Sequence, residues 1–533
     1  MREMTRRVCA AVVALALLAG CTPSHDDPPA PAVTAGPPVT LRVLAGSELA
    51  DMQPILDQAA KATGVTVKMT FTGSLEGAET VASGKADGAY DALWFSSNRY
   101  LETLADGKRR LGTATRIMSS PVLLGLREST ARKLGWTGRA VSWPDIVAAA
   151  SAGKFTFAMT NPADSNTGFS ALVAGASALD SSGRALDAAA IDRVAAPLTG
   201  FFRAQQLTAG SSGWLTDAFV KRTPPLDGLF NYESSLVELN RANKLSEPLT
   251  LIYPADGVVS ADYPLTLLAR APAEARDAHQ RLTDYLRTEA VQRQIADSTA
   301  RRPAVASVPR PAGLPESPVE LPFPETRAAI DALLTAYLDR LRRPSRTVYV
   351  LDLSGSMKGA RIAALKGALS GLTGVNTSLT GSYCRFRSRE DVVLLPFSDT
   401  PGRPLVYPID AADPQPSRDR LRGAIGTLQV HGNTAVYDSL IAAYQGLTPA
   451  MAKDRFVSIV LMTDGESNRG RDLAAFTKFL AARGAAAIPV FPVLFGEASQ
   501  AQMRAIATAT GGELWDARGG DLTRAFCQIR GYQ

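Results

Sequence analysis

The sequence predicts an α/β protein in two parts, a two-lobed domain followed by a doubly wound one. Three observations predict it. Apolar strand-like runs end repeatedly in small polar turns that open a helix, as at Gly46-Ser47-Glu48, Thr72-Gly73-Ser74 and Ser96-Ser97-Asn98. Strand, turn and helix in repetition give a parallel sheet covered on both faces, with ligands bound at the strands' carboxyl ends. At 533 residues the chain exceeds one ordinary core, and about three domains are expected. A Pro-rich stretch, 301–324, separates two sets of such repeats.

Composition narrows the function classes. With 46% hydrophobic and 20% charged residues the chain is globular rather than disordered. Its formal charge is +6, and loss of a basic N-terminal segment would leave +4. No Lys/Arg run interleaved with aromatics occurs, which argues against nucleic acid as a partner. The three His residues, His25, His279 and His431, are far apart in sequence, so a His-rich zinc site or a His-based triad has little support. No Gly-Lys-Ser/Thr phosphate loop is present, which argues against an ATPase.

Residues 1–20 carry a basic start and an apolar core from Val8 to Ala19, too short for a permanent span. Leu18-Ala19-Gly20-Cys21 resembles a bacterial lipoprotein cleavage box. The resemblance implies a mature chain that begins at Cys21, with lipid on its sulfur, held at the outer face of the cell membrane. An ordinary secretory signal with a coincidental Cys is the alternative. Residues 21–38, rich in Pro, Ala and Asp, read as an extended tether.

Residues 39–305 read as two lobes, the second spanning about 121–254. The crossings are expected near Pro121 and at Tyr253–Pro254. Ser47, Thr72, Ser74, Ser96 and Asn166 sit at equivalent strand-to-helix turns, and Tyr232 ends a short strand at a helix start. Helix capping explains each hydroxyl or amide singly; their recurrence favours a shared cleft, for which these six are the candidate ligand contacts. This stretch resembles the periplasmic-type extracellular solute-binding proteins. The resemblance implies a small polar solute, for which small polar residues weakly favour an oxyanion or a sugar-like molecule. Transporter subunits would be the expected partners of such a receptor.

Residues 306–343 read as linker plus a helix with Ile330, Leu333, Leu334, Tyr337 and Leu341 on one face. The last domain, 344–533, begins with an apolar strand ending in Asp352-Leu353-Ser354-Gly355-Ser356. An all-oxygen cluster at a strand's carboxyl end suits a hard cation. Gly432-Asn433-Thr434 places a further hydroxyl at a helix start, and a second apolar strand ends in Asp464. Asp352, Ser354, Ser356, Thr434 and Asp464 together resemble the metal-ion-dependent adhesion site of von Willebrand factor type A (VWA) domains. The resemblance implies Mg²⁺, or Mn²⁺ or Ca²⁺, with Ser354, Ser356 and Thr434 as direct ligands and the two Asp acting largely through water. It also implies a protein partner that offers a carboxylate to the metal.

Cys384 and Cys527 form an even pair in an exported domain, which predicts a disulfide; two buried thiols are the alternative. No nucleophile has a base positioned by motif, and Glu390, Asp391 and Glu466 read as solvated acids, so the chain is expected to be a binding protein and not an enzyme. The competing readings are a structural surface protein whose lobes hold no solute, and a metal-dependent hydrolase.

Overall fold

The computed structural model describes residues 36–316, 318–448, 450–483, 488–519 and 522–533. The lipidation expected at Cys21, the signal segment and most of the tether lie outside the described residues. Three sheets organise the rest, and the fold class is the α/β one expected.

The first sheet orders its strands Val65–Phe71, Val39–Ala45, Ala92–Trp94, Pro264–Leu268 and Leu111–Arg116. The first three run parallel, while Pro264–Leu268 is antiparallel to both its neighbours. Leu41, Val43 and Ala45 alternate into the core, while Arg42 points the other way and binds Asp91 at 2.7 Å. The second sheet is centred on Met118–Arg127, buried along its whole length. Gly228–Tyr232, Leu249–Ile252, Ser260–Ala261 and Arg302–Pro303 all pair with that strand.

The lobe boundaries differ from the sequence expectation. The chain leaves the first sheet at Arg116 and enters the second at Met118; it returns between Ala261 and Pro264. The crossings are therefore Ile117 and Asp262–Tyr263, and the Ile117 N–H donates to the Tyr263 carbonyl at 3.4 Å. Pro121 is paired with Ser260 inside the second sheet, and Tyr253 donates its hydroxyl to Glu233 at 2.6 Å within the same lobe. The physical reason is that the apolar run begins before Pro121, and the return passes through a third pairing, Ser260–Ala261, too short to stand out in sequence. The Pro-rich stretch is also less of a free linker than expected. Arg302 is buried on Glu233 at 2.7 Å, and Val258 bridges Glu320.

The third sheet runs Leu405–Pro408, Asp391–Phe397, Ser345–Asp352, Phe456–Thr463, Val490–Leu494 and Trp515–Asp516. Only the edge strand Leu405–Pro408 is antiparallel. Val348, Tyr349, Val350 and Leu351 are all buried because the strand is central and covered on both faces. Strand order reverses around Ser345–Asp352, so its carboxyl end is the switch point where a doubly wound sheet opens a crevice.

The helix Arg327–Ala336 packs on the second lobe, continuing through Tyr337, whose hydroxyl donates to Gln205 at 3.2 Å. Arg343 then spans to the last domain, donating to Gln206 at 2.8 Å and to the Lys453 carbonyl at 2.7 Å. Buried Glu390 accepts from Arg342 and, at 2.6 Å, from Arg530. Burial opposes its ionisation, but these two guanidiniums outweigh that and hold the carboxyl below its usual range. One apolar core runs from Leu215, Phe219 and Leu229 of the second lobe into Tyr349, Phe526 and Tyr532 of the last domain.

Candidate functional site

Two sites take shape, one between the lobes and one at the switch point. A cavity of about 590 Å³ lies where the two lobes meet. Ser47, Thr72, Ser74, Ser96, Asn166 and Tyr232 all line it. Each stands where a strand gives way to a helix: Gly46 and Gly73 are extended residues opening helical turns, and Ser165 does the same for Asn166–Asp180. The Ser74 N–H donates to the Asp164 carbonyl at 3.2 Å, joining the lobes at the cavity's edge. Tyr232 is buried and accepts from Asn166 Nδ2 at 3.3 Å; burial raises its hydroxyl pKa well above the ordinary value.

The sequence reading missed the cavity's charge. Glu48, Glu76, Glu79, Asp164 and Glu513 line it against Lys85 and Arg524. Burial pushes the Asp164 carboxyl up to about 7, although Arg530 and Arg342 pull it the other way. Burial likewise raises Glu48 and Glu513. Glu48 adjoins Ser47, and Asp164 stands two residues before Asn166, so both were within reach of a reading that weighed turn neighbours. Glu513 was not, because it arrives from the other domain.

At the switch point, register sets Leu351 beside Met462, so Asp352 and Asp464 leave adjacent strands together. The Asp352 carboxylate accepts the Ser354 N–H at 2.8 Å and the Thr463 hydroxyl at 2.6 Å. Burial raises its pKa, against the pull of those two bonds. Ser354 Oγ lies 3.0 Å from Ser356 Oγ, which donates to Asp464 Oδ1 at 2.7 Å. The loop that carries Thr434 is tied to this strand end: Gly355 N–H donates to the Gly432 carbonyl at 3.0 Å and His431 N–H to Leu353 at 2.6 Å. Gly432 has φ +72°, and a Cβ there would collide with the Asp399 carboxylate. Thr434 is buried and donates its N–H to Asn468 at 2.9 Å. The donor set is thus two carboxylates and hydroxyls, all hard oxygen, which fits a Mg²⁺-type ion better than a thiophilic one. Among the described residues no group of three or more His, Cys, Asp or Glu that could hold a metal occurs.

Cys384, closing the short helix Leu379–Cys384, is joined by a disulfide to Cys527 in Leu522–Arg530.

Residues 41–298 match the family model for bacterial extracellular solute-binding proteins. Among the described residues no helix is long and apolar enough to cross a membrane. No curated protein matches the chain. Solved structures similar to it include a periplasmic thiamin binding protein, at 14% identity and TM-score 0.47, covering 58% of this chain and 99% of that one. The sulfate-binding protein SubI from Mycobacterium tuberculosis H37Rv is similar at 19% identity and TM-score 0.39, covering 50% and 88%. A von Willebrand factor type A protein from Catenulispora acidiphila is similar at 20% identity and TM-score 0.29, covering 36% and 42%.

Proposed function

We propose that the chain is a lipid-anchored surface binding protein: its lobes capture a small, positively charged polar solute, and its last domain grips a protein partner through a divalent cation. One observation carries the solute half. Six polar turn residues from both lobes converge on a single cavity with a surplus of carboxylates. Burial disfavours the ionised forms of Glu48, Asp164 and Glu513, and a bound cation offsets that cost whereas an oxyanion adds to it. This favours an amine-bearing solute over the oxyanion or sugar-like molecule that the small residues alone suggested. Transporter subunits are the natural recipients of a solute held this way.

For the second half, Ser354, Ser356 and Thr434 would hold Mg²⁺ (or Mn²⁺ or Ca²⁺) directly, with Asp352 and Asp464 bonding mostly through water. The hydroxyl pair Ser354–Ser356 and its link to Asp464 support the reading. Neutral hydroxyl ligands leave a bound cation electrophilic enough to accept a partner's carboxylate. The role of Thr463 and the Ser354 N–H is to hold the Asp352 carboxylate in one orientation.

Thermal unfolding of the full chain with spermidine or with sulfate tests the solute reading. A ligand of the folded state at about 100 times its Kd stabilises by about 2.7 kcal/mol. Spermidine is expected to raise the Tm in proportion to the logarithm of its concentration and sulfate to leave it unchanged. Stabilisation by sulfate alone would reverse the charge assignment.

A further inference from the structure

The solute cavity has a third wall. Besides the lobes, it is lined by Asn376, Trp515, Gln528 and Tyr532 of the last domain. Two helices contribute to that wall, Leu379–Cys384 with Thr380 and Leu522–Arg530 with Gln528, and the Cys384–Cys527 disulfide fastens one to the other. Trp515 Nε1 and Glu513 Oε2, both on lining residues, are buried with no hydrogen-bond partner among the described residues.

The wall is attached to the two lobes by different physics. To the second lobe the attachment is apolar: Tyr532 packs edge-on against Trp214 with centroids 4.8 Å apart, within the shared core. To the first lobe it is mixed: Leu379 and Tyr383 pack into apolar clusters there, and a set of polar contacts lies beside them. Gln528 Nε2 donates to Glu76 Oε2 at 3.2 Å, Arg524 pairs with the same carboxylate, and Thr380 donates its N–H at 2.8 Å and its hydroxyl to Glu79. Glu76 and Glu79 lie one turn apart on the helix Ser74–Ala82, so one short helix carries the polar seam.

We propose that the last domain is a structural part of the solute site, so that solute is enclosed by three bodies and the domain's docking on the first lobe closes the mouth over it. The proposal rests on the solute reading above and adds which residues complete the site. Because the seam with the second lobe is one extended core, whereas the seam with the first lobe depends in part on an ion pair, the domain stays with the second lobe. It releases the first when the mouth opens. Exposed ion pairs weaken as salt rises, whereas apolar contacts do not, so the two seams are separable in solution.

The test uses the full chain and the double variant Thr380→Ala/Gln528→Ala, both at partly exposed positions. Hydrogen exchange is followed in Ser74–Ala82 and in Ser212–Lys221, and spermidine affinity is measured by calorimetry. The variant is expected to bind spermidine at least tenfold more weakly and to exchange faster in Ser74–Ala82, with Ser212–Lys221 unchanged. In the wild type, raising NaCl should speed exchange in Ser74–Ala82 alone. Faster exchange with unchanged spermidine affinity would overturn the third wall, because the domain would then dock without touching solute. If spermidine fails to bind the wild type, the charge assignment falls. Exchange then decides the wall by itself, and equal exchange in variant and wild type at every salt concentration overturns it.

Discussion

Arg361 reaches from the helix after the metal loop to Asp464, with Nη1 2.6 Å from Oδ2. Asp464 is buried and Arg361 only partly so, and the carboxylate raises the guanidinium's pKa further. The other Asp464 oxygen accepts from Ser356. The guanidinium therefore supplies the positive charge that a divalent cation would supply at the same carboxylate.

Arg361→Ala should tighten Mg²⁺ or Mn²⁺ binding. A partly exposed pair contributes about 1 kcal/mol or less, so the gain is about fivefold at most. Asp352→Ala and Thr434→Ala should abolish binding; in Asp352→Ala the relief of repulsion from Asp464 is set against the Thr463 hydroxyl and Ser354 N–H, which lose their acceptor. Calorimetric titration of the three variants reads this out. Equal Mg²⁺ affinity in wild type and in the Asp352 and Thr434 variants would remove the metal assignment.

Asp164 makes stability depend on pH. Its folded pKa, about 7, lies above the ordinary carboxyl value of 3.8. The folded state therefore holds its proton longer than the unfolded state, and stability falls as pH rises between about 4 and 7. Above 7 the full cost is present. Asp164→Asn should be more stable than wild type at pH 8, by about 1–2 kcal/mol after allowance for partial exposure. At pH 4 the two should differ little. Urea unfolding at the two pH values measures it, and a gap that does not widen with pH would show that Asp164 is not the group responsible.

The Cys384–Cys527 bridge closes a loop with a sequence separation of 143. Disulfides typically contribute about 2–4 kcal/mol, and the chain-entropy relation gives about 5 kcal/mol as the upper figure for a loop of this size. Cys384→Ser should lower the denaturant midpoint accordingly, and a reducing agent should bring wild type to the same value. A wild-type midpoint indifferent to reduction would mean that the bridge contributes nothing to stability.

Cys21→Ser should move the protein from the membrane fraction to the soluble exported fraction, because small residues precede Cys21 and a tether follows it. Fractionation of cells expressing each form checks this. A variant that stays with membranes would require a different anchor.

The sequence by itself determined the elements and their turns. Apolar runs of strand length, each followed by Ser, Thr, Asn or Gly at a helix start, are local signals, and local sterics and hydrogen bonding suffice to produce them. For that reason Ser47, Thr72, Ser74, Ser96, Asn166 and Tyr232 are legible as strand-to-helix turn residues, and all six line one cavity. Asp352, Ser354 and Ser356, set two residues apart at a strand's end, are legible by the same local signal as a polar turn. Tertiary structure alone decided the rest. The crossings fall at Ile117 and Asp262–Tyr263 because Met118–Arg127 gathers partners as distant as Arg302, and sheet pairing between remote segments leaves no local trace. Glu513, Trp515 and Gln528 reach the cavity only because Trp214 and Tyr532 fit together and Glu76 meets Arg524. Such contacts depend on the shapes of whole folded surfaces, which no periodicity in the sequence encodes.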